Sequence, residues 1–140
     1  MHRFPSEGWT EAYKNAINYN LAFRKAADPW TFGSVALIVQ CDVSLGLERD
    51  TGVILDVHKG KCRDARFVKG HSRPPEAEFV TVGSYQQWKD IIERRLDPTK
   101  AMIEGRLRLA RGHLPTLIRF REASRELAAS ARRVPTEFLV

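Results

Sequence analysis

The sequence holds two cysteines in 140 residues, Cys41 and Cys62, too few for a disulfide framework. Free thiols in a reducing cytoplasm are the expectation. Long hydrophobic runs are missing: no apolar stretch approaches the roughly 20 residues that cross a bilayer. The opening MHRFPSEGW lacks the pattern of a signal peptide, and the closing TEFLV is not a Ser-Lys-Leu address. There is no glycine-rich phosphate loop and no Gly-Xaa-Ser-Xaa-Gly elbow. The four histidines, His2, His58, His71 and His113, stand at no recurrent metal-ligand spacing, so neither metal nor cofactor is expected. The nearest approach to an acid–base pair is Asp56 with His58, on one side of a strand at a hairpin end, where such a pair is usually solvated. The reading is therefore not an enzyme. Repeats, low-complexity segments and linkers are absent too, and the expectation is one domain over residues 1–140.

Lysine is missing from residues 106–133, where eight arginines and two glutamates carry the whole net charge of +6. Arginine presents a planar fork to carboxylates and phosphates. Arg119, Arg121, Arg125, Arg132 and Arg133 are candidates for an anion-facing surface, such as one meeting an anionic membrane. The plain alternative is a solvated helix face beside a protected sheet edge.

What is present is well punctuated. A first helix is expected over Thr10–Ala27, begun by Thr10 or Ser6, with Trp9, Tyr13, Ala16, Ile17, Asn20 and Phe23 on one face. Asn20 lies inside that apolar arc and needs partners if buried, as a satisfied core amide rather than a ligand contact. Ser34 to Cys41 is nearly all apolar and reads as a central strand covered on both faces. Val53, Leu55 and Val57 alternate with Ile54, Asp56 and His58, and His58-Lys59-Gly60-Lys61 forms a tight turn into an edge strand from Cys62 to Val68. Gly70 to Glu76, with two prolines, reads as a surface loop. Glu78 to Val82 is a fourth strand, closed by Gly83. Ser84 and Gln87 make a capping box for a helix whose Tyr85, Trp88, Ile91, Ile92 and Leu96 share a stripe. Asp97-Pro98 starts a short helix that stops at Gly105. Arg106 to Ala110 reads as a fifth strand. Beyond Gly112, a last helix from about Leu114 to Arg133 turns Leu117, Phe120, Leu127, Ala128 and Ala131 inward. The class is α+β: one five-stranded sheet with helices at both ends of the sequence and between strands four and five.

The order strand, capped helix, Asp-Pro, short helix, strand, glycine turn and final helix resembles the sterol carrier protein type-2 domain family. The residues that carry it are Gly83-Ser84, Trp88, Leu96-Asp97-Pro98, Ala101-Met102, Gly105-Arg106-Leu107 and Gly112, with Leu55 to Cys62 resembling the family's hairpin. Arg95 departs from it, standing where members often carry glycine. The resemblance implies helices that roof the sheet over a hydrophobic tunnel for lipid, with Ile17, Leu21, Trp88, Ile92, Met102, Leu117, Phe120 and Leu127 as candidate lining. Each of these is equally at home in a solid core.

Two functions follow as expectations. One is a lipid-binding and transfer protein of the cytoplasm, holding a fatty acyl chain, an acyl-CoA or a sterol-like molecule. The alternative is a non-catalytic interaction domain of the same fold, whose arginine-rich helix meets an acidic protein, a membrane surface or, least of all, nucleic acid. The apolar end Phe138-Leu139-Val140 is expected to be held, by a groove of its own chain or by a second copy in a homodimer.

Overall fold

The computed structural model describes residues 1–70 and 76–140. The central strand is β2 (Val35–Val39), and β3 (Thr51–His58) pairs antiparallel to it, with Leu37 opposite Val53. A two-residue turn, Lys59-Gly60, returns the chain as β4 (Lys61–Lys69). Both turn residues have positive φ, at 48° and 80°, and a Cβ on Gly60 would sit 2.4 Å from the Arg24 carbonyl oxygen. The chain crosses over to place β5 (Phe79–Gly83) parallel to β2, and β6 (Arg108–Arg111) adds antiparallel to β5. The sheet order is β4-β3-β2-β5-β6, so β4 is an edge strand, as its polar pattern requires. Most of the loop expected over Gly70–Glu76 lies outside the described residues.

The expected first helix is two helices. Ser6 caps α1 (Glu7–Asn18), and Asn20 caps α2 (Leu21–Ala26) by accepting from the Phe23 N–H. Asn20 is buried and satisfied: its amide donates to the Glu126 carboxylate at 3.1 Å and to the Ser130 hydroxyl at 3.0 Å. A polar residue within the apolar arc thus restarts the helix and resets its phase. Leu21 is turned out to water, 74% exposed, which corrects its assignment to a tunnel wall. The expected last helix is likewise divided. Between α5 (Leu114–Arg119) and α6 (Arg121–Arg132), Phe120 leaves helical geometry with ψ at 29° and packs edge-on against Trp30 at 5.0 Å. The middle of the chain follows its punctuation. The Ser84–Gln87 capping box opens α3 (Tyr85–Ile92), and Asp97 with Pro98 opens α4 (Pro98–Ile103). Among the described residues no helix is long and apolar enough to cross a membrane.

Two short strands escape the sequence pattern. β1 (His2–Arg3) pairs parallel with β7 (Thr136–Glu137), clasping the two chain ends together. The Trp9 indole donates to Thr136 at 2.9 Å, and the Leu139 N–H donates to the buried Tyr85 hydroxyl at 2.9 Å. Phe138 packs on Phe4, so the apolar C-terminal residues are held by their own chain.

The sheet is buried on both faces, as the unbroken apolar run of β2 demands. On one face Ala36, Ile38, Ile54, Val80 and Val82 belong to a compact cluster. On the other, Val39, Val53, Leu55, Val57 and Phe79 join the helices in the main core. Asn18 ties α1 to the exposed side of β4, exchanging two 2.9 Å hydrogen bonds with the Cys62 backbone as a neighbouring strand would.

Candidate functional site

Between sheet and helices the main core is hollow. A cavity of about 80 Å³ has as its floor Val35, Leu37 and Val39 of β2, with Val53 and Thr81 beside them. Its roof comes from Trp88, Ile91 and Ile92 of α3, Pro98 and Met102 of α4, and Leu127, Ala128 and Ala131 of α6. Phe4, Pro5, Trp9 and Tyr13 close one end. A second void of about 40 Å³ lies against Phe23, Trp30 and Phe120, and Val35, Leu117, Ser124 and Leu127 line both. Most interiors leave few gaps larger than one water, so two adjoining apolar voids are a structural feature and not packing noise.

The polar groups of Trp88 and Tyr13 beside the cavity are both bonded to backbone carbonyls. The Trp88 indole donates to the Ile38 carbonyl at 2.8 Å, and the Tyr13 hydroxyl donates to the Leu127 carbonyl at 3.0 Å. Burial, with a smaller push from the Cys62 side chain, raises the Tyr13 phenol far above its usual range, so it stays neutral. What remains facing the void is almost entirely hydrocarbon.

Of the candidate lining residues, Trp88, Ile92, Met102, Leu117 and Leu127 border the larger cavity, and Phe120 borders the smaller. Ile17 is fully buried in solid core and touches neither. Leu21 is outside altogether. The floor residues of β2 and the aromatic end at Phe4 and Trp9 are not among the sequence candidates. For the floor, the apolar run of the strand is the available signal; the two-residue clasp that positions Phe4 leaves none.

The five arginines do not form one free surface. Arg119 lies over the Phe32 and Phe120 rings at 5.3 and 5.1 Å. Arg125 bonds Asp97 at 3.0 Å and Glu122 at 2.7 Å. Arg132 donates through Nε to the Ile92 carbonyl at 2.7 Å, near the C-terminal end of α3. Beside these residues a groove of about 310 Å³ opens, lined by Arg94, Arg125, Arg132, Asp97 and Glu126, and sharing Ile91, Pro98 and Ala128 with the apolar cavity. Partial burial works against the Asp97 carboxylate, yet the Lys100 N–H and Arg125 together hold it below its usual range. Burial lowers the Arg132 pKa and the Arg94 charge adds to the effect, while the Glu126 charge opposes both.

The Asp56 carboxylate is occupied by Arg63 at 3.0 Å, and a bulge follows it in the strand. The two thiols differ sharply. Cys41 is exposed; Cys62 is buried and burial, foremost, pushes it up to about 12. Iodoacetamide at pH 8 should therefore label one site per chain, Cys41, with Cys62 reacting only after denaturation. Equal labelling rates, read by peptide mass spectrometry, would contradict this burial.

No family model matches the chain, and no curated protein matches it. Solved structures do. A crystal structure of sterol carrier protein 2 superposes with a TM-score of 0.86 at 37% identity, over 92% of this chain and 97% of that one. The solution structure of a conserved hypothetical protein from Thermus thermophilus, described as possibly a sterol carrier protein, gives 0.85 at 36% identity, over 94% and 90%. Sterol carrier protein 2 from Yarrowia lipolytica, in its apo form, gives 0.54 at 12% identity over 89% of each chain, a likeness of fold alone.

Proposed function

Since the chain belongs to the sterol carrier protein 2 family, we propose that it binds and transfers a lipid, held between the sheet and its helical roof. The observation that carries this reading is the pair of adjoining apolar voids, walled by residues of β2, α3, α4, α5 and α6. Burying an acyl chain contributes about 0.8 kcal/mol per CH₂, so a dry channel gives affinity with few polar contacts. A void of about 80 Å³ takes only a few methylene groups, and a long chain enters by parting the roof from the floor. Met102, flexible and half-buried at that wall, suits ligands of varied outline. Fatty acyl chains, acyl-CoA and sterol-like molecules all fit this chemistry. The alternative of an interaction domain is weaker, because Arg119, Arg125 and Arg132 are engaged within their own chain. Cytoplasmic work accords with two unpaired thiols.

Native mass spectrometry of the purified protein should reveal a co-purifying lipid, and the emptied protein should take up a fluorescent fatty acid. Failure to take up any chain length would sink the carrier reading.

A further inference from the structure

The groove beside the cavity is lined by three arginines and two carboxylates, so it keeps an excess of positive charge. Of its charged walls, Asp97 is held by Arg125 and caps α4, and the Glu126 carboxylate accepts from the Asn20 amide at 3.1 Å. Arg125 is itself engaged by Asp97 and Glu122. That leaves Arg94 and Arg132, neither of which forms an ion pair among the described residues. The two guanidiniums repel one another, an effect the Glu126 charge offsets in part at Arg132, and the Arg132 side chain is held by the Ile92 carbonyl. Arg94 holds a second oddity. Its φ is 67°, a left-handed conformation that a residue with a Cβ adopts at a penalty and that glycine takes freely. A strained, exposed arginine facing another arginine is poor design for stability alone.

We infer that the groove is the head-group site for the amphiphile whose chain occupies the cavity, with Arg94 and Arg132 binding a carboxylate or a phosphate monoester. The inference rests on the lipid-binding reading and adds to it the place where the charged end of the ligand is held. Ile91, Pro98 and Ala128 belong to both spaces, so an apolar chain in the cavity presents its polar end to this groove. Arg132 is pre-positioned by its bond to α3, and Arg94 reaches from the turn after the same helix. An anion between them removes their mutual repulsion and gains charge-assisted hydrogen bonds from both.

The test is calorimetric binding of dodecanoate, dodecyl phosphate and dodecanol to the delipidated full chain and to Arg94→Gly. The unaltered protein should bind at least one of the two anions about tenfold or more tightly than the alcohol. The preferred anion tells carboxylate from phosphate. In Arg94→Gly that preference should fall severalfold while the melting temperature holds or rises, because glycine relieves the left-handed turn. A melting temperature that rises as anion preference falls is an outcome a merely structural arginine would not produce. Arg94→Lys, retaining charge, should recover part of the preference. If dodecanol binds the unaltered protein as tightly as both anions, the head-group site is wrong and the lipid reading stands. If Arg94→Gly leaves the preference unchanged, the assignment to this groove is overturned. If none of the three binds, the carrier reading falls, and this inference with it.

Discussion

Replacing Ser124 with leucine should abolish fatty-acid uptake and leave the protein at least as stable as before. Ser124 borders both voids, at the waist where Leu117 and Leu127 also meet them. A leucine there puts hydrocarbon into a space already lined by hydrocarbon. Cavity volume costs about 24 cal/mol per Å³, so filling a void of 80 Å³ contributes up to about 2 kcal/mol. Uptake should fall to background because the path between the two voids is plugged. The pairing of the two readouts is what matters: a variant that merely unfolds loses uptake and stability together. Full uptake in a variant of raised melting temperature would show that the ligand, if any, sits elsewhere.

Removing residues 136–140 should have the largest effect on stability. The truncation withdraws Thr136 from the Trp9 indole and Leu139 from the Tyr85 hydroxyl, and it unpairs β1 from β7. An orphaned buried donor costs about 1–3 kcal/mol, and half-buried Phe138 and Leu139 together contribute about 2 kcal/mol. A total of about 3–5 kcal/mol corresponds to a fall of about 10 °C or more in melting temperature. Lipid exchange should quicken as well, because Phe4 and Pro5, which close one end of the cavity, are kept there by this clasp. An unchanged melting temperature and unchanged exchange in the truncated chain would mean the clasp does not form in solution.

Much of the fold is legible in the sequence because its signals are local. Ser84 with Gln87 and Asp97 with Pro98 satisfy helix ends by themselves, whatever surrounds them. The apolar run of β2 reports burial on both faces directly. Where sequence reading fails, the deciding contact is distant. Asn20 looks like an intruder in a helix face; its cap bond from the Phe23 N–H is local, but the partners that satisfy its buried amide, Glu126 and Ser130, lie over a hundred residues away. Its effect on helix phase is why Leu21 points outward. Phe120 has no breaker beside it, and its departure from helix geometry goes with Trp30 across the core. The cavity is partly legible for the same reason. Trp88, Ile92 and Met102 are marked by helical periodicity, but whether facing side chains meet or leave a gap is a property of the assembled layers.

The two layers around the cavity differ in how they can give way. The sheet is a continuous hydrogen-bonded ladder pressed by apolar side chains from both faces. The helical layer is made of separate tiles: among the described residues, six α-helices of at most twelve residues, with breaks at Asn20 and Phe120, and α3, α4 and α6 among them form the roof. Displacing one tile disturbs a few contacts, whereas bending the floor strains many hydrogen bonds at once. The interior is therefore soft in one direction only. Its capacity is set by how far the tiles lift and not by a fixed outline, which makes ligand length an elastic quantity and not a steric limit.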